Sequence, residues 1–345
     1  MYGDARLDPR VLLCAVCLAA VLLGGSELGW RRLGFLPSVA DTPALWALHR
    51  ARVDRDPRAL ALLGDSQMLL GFSVEVAAER LPDRPVAQLA INGRSPVPVL
   101  RDLAEDPDFT GTVVVGVRTE HFDAFNLLAG PYPQLAEYHE RGRAAPHWPW
   151  DDSTVRLRIR TALQSRWALL RSDLGARQLL RTLLETAALP EPFYATIRAD
   201  RSGRGDFSRV DVARKRRQNE AIVAARKPPG AAERAGWDER VGEFKTLIER
   251  IHDRGGRVVL VRFPTSPQRY ESEQRVRPRD QYFDRIADGT PAGAIHFRDV
   301  ARLARFDPPD SDHLDHLQAV AFTNALLDEL EARGLLADRV AELRR

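Results

Sequence analysis

The stretch Ala59-Leu60-Ala61-Leu62-Leu63-Gly64-Asp65-Ser66-Gln67-Met68 decides how the fold is read. Ala59 to Leu63 is a short, continuous apolar run, the pattern of a strand buried on both faces. Gly64 and Asp65 are turn residues. From Met68 onward apolar residues recur at helical spacing, which predicts a helix to about Arg80, stopped by Leu81-Pro82-Asp83. Strand, tight turn and helix in that order put Ser66 at the carboxyl end of a strand and the amino end of a helix. Open α/β sheets bind their ligands in that place.

Outward from this stretch the alternation continues. Pro85 to Ile91, Gly111 to Val117, Arg257 to Phe263 and Ala294 to Phe297 read as further strands. Amphipathic segments from Val97, from Trp237 to Arg254 and from His313 to Arg333 read as helices, with Leu335 to Arg345 as a terminal one. Strands alternating with helices predict a parallel sheet of about five strands in a three-layer α/β/α fold. The rhythm breaks over about 119–236, which reads as a mostly helical insertion between the third and fourth strands. Within it, Arg201 to Phe207 and Lys227 to Gly230 read as exposed loops. The run Arg214-Lys215-Arg216-Arg217 reads as a solvated helix face, and its alternative is an anion-binding surface. The organisation expected is an anchor with flanks over 1–32, a connection over 33–57 holding a helix from Pro43 to Val53, and one α/β domain over 58–345.

The 345 residues are 44% hydrophobic and 29% charged, enough for a sizeable core within a mixed-sign surface. A net charge of +3 is too small to argue for a nucleic-acid partner. Cys14 and Cys17 are the chain's cysteines, which excludes a disulfide framework, a cysteine zinc site or a cysteine nucleophile beyond the N-terminal run. That run, Val11 to Gly25, is flanked by Arg6, Arg10, Arg31 and Arg32. Fifteen apolar residues are short for a span, and Ser26 to Trp30 bring the stretch close to the ~20 residues required. An uncleaved signal anchor with Trp30 at the interface is the preferred reading; a cleaved signal peptide and a buried core helix are the alternatives. The anchor reading expects a single-pass membrane protein whose body is extracytoplasmic, in the periplasm or outside.

The chemistry follows from what lies at the carboxyl ends of the strands. A serine hydroxyl is a weak nucleophile that needs a base within hydrogen-bond reach and a third group to orient that base. Asp310 and His313 are three residues apart in a turn, so one loop delivers both to Ser66. A developing oxyanion needs donors, and the backbone N–H groups of Ser66 and Gly93 are candidates. Glycine at 93 permits close approach of a substrate to the backbone.

These residues resemble the SGNH (GDSL-type) hydrolase superfamily, whose fold is flavodoxin-like. Gly64-Asp65-Ser66 resembles its first block, Gly93 the glycine of its second, and Asp310-Ser311-Asp312-His313 its final Asp-x-x-His. The resemblance covers about 58–118 and 237–333. It implies Ser66 as nucleophile, His313 as base, Asp310 as the orienting acid, and no cofactor. The block after the third strand departs: the family's Gly-x-Asn is here Gly116-Val117-Arg118. Arg118, or the hydroxyl of Thr119, is the candidate third oxyanion donor. This departure and the single anchor resemble membrane-bound SGNH-like proteins of polysaccharide or cell-wall O-acylation. Such proteins imply an acylated carbohydrate substrate, ester cleavage or acyl transfer through an acyl-enzyme, and a multi-spanning membrane acyltransferase as partner. A weakly catalytic scaffold that presents polymer to that partner is the alternative.

Each assignment has a plainer competitor. Ser66 also suits a helix N-cap. His316 is a rival to His313, and Asp312, His313, Asp315 and His316 together include zinc-ligand types. Asp65 reads as a turn-holding residue. His121, His139, His147, His252 and His296 read as structural or exposed. Trp148, Trp150, Phe193 and Tyr194 read as packing residues, with sugar stacking as the alternative.

Overall fold

The computed structural model describes residues 8–54, 56–123, 138, 152–208 and 210–336. The expectations for Arg6, His139, His147, Trp148, Trp150 and 337–345 fall outside them. The centre is a five-stranded sheet of β1 (Leu60–Leu63), β2 (Val86–Gln88), β3 (Thr112–Gly116), β6 (Arg257–Arg262) and β7 (Gly293–His296). Its order is β2-β1-β3-β6-β7, and every pairing is parallel. The chain adds β2 on one side of β1 and β3 on the other. The switch point therefore lies between the carboxyl ends of β1 and β3, beside Ser66 and Arg118.

Period-two alternation divides the strands between two cores. Ala61, Leu63, Val113, Val115 and Leu260 face one core, covered by α2 (Pro43–Arg50), α5 (Val97–Glu105) and α9 (Ala231–Asp253) with Trp46, Phe109 and Phe244. Leu60, Leu62, Val114, Val259 and Val261 face the other, covered by α3 (Ser66–Gly71), α4 (Val74–Arg80) and α13 (His316–Ala332) with Phe263 and Phe322. Both faces are covered, as an all-parallel sheet requires, and the molecule is a three-layer α/β/α protein.

Three local expectations change. The helix after Ser66 is two helices: Phe72 and Ser73 are extended between them, and Gly71 at the end of α3 packs onto the Phe263 ring, where a Cβ would lie 3.0 Å from it. Ser73 then caps α4 by accepting from the Val76 N–H. Arg201 to Phe207 is not an exposed loop. Ala195–Ile197 (β4) and Gly203–Gly205 (β5) form an antiparallel hairpin around a fully buried Arg201. Leu335 and Leu336 form a turn rather than the start of a helix, and both pack on the second core.

Among the described residues the insertion is mostly helical, as its apolar spacing predicts. Between β3 and β6 lie α6 (Asp152–Gln164), α7 (Ala176–Thr186) and α8 (Val212–Ala224). Three shorter helices not expected from the sequence, α10 (Pro267–Val276), α11 (Phe283–Ala287) and α12 (Ala301–Ala304), flank β7 along the chain. At the N-terminus α1 (Pro9–Arg32) is a 24-residue helix, long and apolar enough to span a membrane, with exposed apolar side chains.

Candidate functional site

Gly64 makes the turn that starts the site. Its φ is +154°, and a Cβ there would lie 2.7 Å from Met68 Cβ. Asp65 caps α3 by accepting from the Gln67 N–H at 2.9 Å, so the turn-holding role read from the sequence is met. Ser66 is the first residue of α3, where backbone N–H groups have no intrahelical acceptor. Gly93, after β2, has φ +66° and open space where a side chain would project.

The structure brings Ser66, His313 and Asp310 into one hydrogen-bonded line. His313 Nε2 is 2.8 Å from Ser66 Oγ, and His313 Nδ1 is 2.9 Å from Asp310 Oδ2. The other Asp310 oxygen accepts from the backbone N–H groups of Asp312 and His313, at 3.0 and 2.7 Å. Asp310 is fully buried, and these bonds hold its carboxyl below the usual range although burial acts the other way. The loop is bent at Ser311, a non-glycine residue with φ +75°. Asn219 of α8 clamps it by donating to the Asp310 carbonyl at 2.7 Å.

His316, the rival histidine, turns away. Its Nδ1 lies 3.0 Å from the Gly205 carbonyl of β5. Asp312 also diverges from a shared metal position and goes to guanidinium groups. Among the described residues no cluster of three or more metal-ligating side chains occurs.

Arg118 lies beside the site but faces an ion cluster. Its Nη1 is 3.2 Å from Asp312 and 3.4 Å from Asp65, and its Nη2 is 3.6 Å from Glu120. His121 Nε2 joins Asp65 at 3.1 Å, and Arg269 reaches Asp312 at 3.3 Å. Gln67 donates to the Asp312 carboxylate at 3.0 Å, while Arg262 donates to Gln67 and Glu273. Burial opposes the charge on Asp65, but His121 and Arg118 outweigh it and bring its pKa down to about 2. Asp312 is lowered in the same way by Arg118 and Arg269. Thr119 hydrogen-bonds Glu120 through its hydroxyl.

This cluster acts on the histidine. Asp312 Oδ2 is 3.8 Å from His313 Nε2, on the serine side of the ring, while Asp310 holds the other nitrogen. Burial works against a charged His313, yet Asp312 and Asp310 together raise its pKa above 6.5. Tyr194 stands over the same ring, with centroids 6.4 Å apart, and Lys215 sits 4.6 Å from the tyrosine ring centre. Burial and the two carboxylates push the Tyr194 phenol up.

Sequence reasoning missed Asn219 and the hydrogen-bonding roles of Gln67 and Asp312, the last named only within its block and as a zinc-ligand type. A signal existed for two of them: Gln67 directly follows Ser66, and Asp312 directly precedes His313. Asn219 carried none, since its partner is 91 residues away. Comparison of the chain with models of known protein families finds no match, and comparison with curated proteins finds none either.

Proposed function

We propose that this chain is a membrane-anchored, SGNH-like serine esterase or O-acyltransferase. Its substrate class is an acylated extracytoplasmic glycan, handled through a Ser66 acyl-enzyme. The observation that carries the reading is the line Ser66 Oγ–His313 Nε2 at 2.8 Å with His313 Nδ1–Asp310 at 2.9 Å. Ser66 Oγ attacks the acyl carbonyl while His313 Nε2 takes its proton, and the C–O bond to the leaving alcohol breaks as His313 returns that proton. Asp310 fixes the tautomer with Nε2 free to accept. Asp312, 3.8 Å from that nitrogen, favours the imidazolium that forms. The Ser66 and Gly93 N–H groups are the proposed donors to the oxyanion. Water or a sugar hydroxyl then takes the acyl group by the reverse sequence.

The test is acyl release from an acetylated polysaccharide, and acyl transfer from p-nitrophenyl acetate to an unacetylated one with release of p-nitrophenol, by the detergent-solubilised protein. Wild type is expected to act and Ser66→Ala to be inactive. Equal turnover by both would overturn the proposal.

One observation favours a second reading, a polymer-presenting subunit beside a membrane acyltransferase. Arg118 is engaged by Asp65, Asp312 and Glu120, so it does not replace the asparagine side chain as a free donor. Losing one such donor costs about 100- to 1,000-fold in rate. Polysaccharide binding by a protein that performs no acyl chemistry is the outcome expected of that reading.

A further inference from the structure

An eleven-residue helix with no buried side chain calls for an explanation. α7 has none, yet it carries Leu180, Leu183 and Leu184, spaced to share one face, and Leu184 is 79% exposed. Arg177 and Arg181 lie on the same helix, and Arg181 pairs with Glu185 at 2.8 Å. Nearby, Leu163, Trp167 and Leu170 are also exposed. Leu163 and Leu170 line a groove of about 550 Å³ whose rim includes Arg156 and Arg160.

The position of this patch is fixed by α1. Glu27 accepts from the N–H groups of Ala168 and Leu169, at 3.1 and 2.9 Å, and Arg31 donates to the Arg166 carbonyl at 2.8 Å. Trp30 and Leu179 of α7 both pack against the small core of Phe35, Ala168 and Leu174. Val11 to Trp30 rises about 30 Å as a helix, the thickness of a hydrocarbon core. When α1 spans, Arg31 and the Arg166 carbonyl it bonds therefore fall at headgroup level, and Glu27, with the N–H groups of Ala168 and Leu169, falls about one helical turn inside that boundary.

We propose that α7 and the turn from Trp167 to Leu170 form a second membrane contact. They lie in the interface of the same bilayer that α1 crosses and hold the body at a fixed orientation to it. The occupant is lipid: leucines on one face, arginines that reach headgroups, and a tryptophan at the polar boundary are the chemistry of an interfacial helix. The proposal rests on α1 spanning a membrane, and its test separates the two claims.

Full-length protein is reconstituted in vesicles of phosphatidylcholine and phosphatidylglycerol with one spin label per molecule. Cys17, with Cys14→Ala, reports α1. Leu184→Cys and Glu79→Cys, each with Cys14→Ala and Cys17→Ala, report α7 and an exposed site on α4. Collisions are measured with oxygen, which concentrates in lipid, and with a water-soluble nickel chelate. The expected result is an oxygen-to-nickel collision ratio several-fold higher at Leu184→Cys than at Glu79→Cys, with Cys17 higher still. A lipid-like Cys17 beside a water-like Leu184→Cys overturns the second contact and leaves the anchor standing. A water-like Cys17 overturns both. A Leu184→Cys label reached by neither reagent means that protein covers the helix, which also overturns the proposal.

Discussion

His313 stands between two carboxylates, Asp310 on Nδ1 and Asp312 near Nε2. Both favour its charged form, so the neutral base appears only above a raised pKa. The rate of covalent labelling by a fluorophosphonate is expected to rise with pH through an inflection above 6.5. Asp312→Asn removes a charge but keeps a polar side chain, and it is expected to move that inflection to lower pH. An unmoved inflection would show that Asp312 does not act on the base. Arg118 makes a contrasting case. Removing it leaves Asp65 and Asp312 with a lost cation in a buried cluster, a change that costs about 3–5 kcal/mol when a buried pair is broken. Arg118→Ala is therefore expected to lower the unfolding temperature markedly, read by thermal denaturation. An unchanged unfolding temperature with slower labelling would assign Arg118 to the oxyanion instead.

At the scale of elements, the β4–β5 hairpin ties the connecting segment to the sheet. Buried Arg201 bonds the Asp41 carboxylate at 2.7 and 2.9 Å, together with the Gln88 carbonyl at the end of β2 and the Ala90 carbonyl beyond it. Gly203 packs so closely on α3 that a Cβ would lie 2.6 Å from Leu70 Cδ2 and 3.0 Å from the Leu69 carbonyl. Gly203→Ala is expected to destabilise the protein and to slow labelling of Ser66, because α3 must shift. Unchanged stability and labelling rate would contradict this packing. The hairpin also marks the limit of what local sequence shows. β1, β3 and β6 are legible because each carries a contiguous apolar run, β2 and β7 because they hold apolar residues at the spacing of the alternation, and Asp310 and His313 because they share one short loop. Arg201-Ser202-Gly203-Arg204-Gly205 reads as a loop by composition; its burial depends on Asp41, 160 residues earlier. The Arg118 cluster is hidden for the same reason, since Arg118 and Asp312 are 194 residues apart.

For the whole molecule, the apolar helix and the α/β body set separate expectations. α1 predicts that the protein stays in the membrane pellet after alkaline carbonate extraction; recovery in the supernatant would contradict a spanning helix. Within the body, Asp65, Asp310 and Asp312 have pKa values below their ordinary 3.8. Groups lowered on folding stabilise the native state above their unfolded pKa and lose that contribution as pH falls through the folded values. Unfolding free energy should thus decline as pH drops below about 4 and toward 2, and Asp65→Asn should flatten part of that decline. All of this machinery converges on whether Ser66 is a nucleophile. Intact-mass measurement after treatment with a fluorophosphonate tests that most directly. Wild type is expected to gain one adduct, mapped to the peptide containing Ser66, while Ser66→Ala gains none and His313→Ala reacts at least about 1,000-fold more slowly. Folded wild-type protein that gains no adduct, or gains it equally in Ser66→Ala, would contradict it.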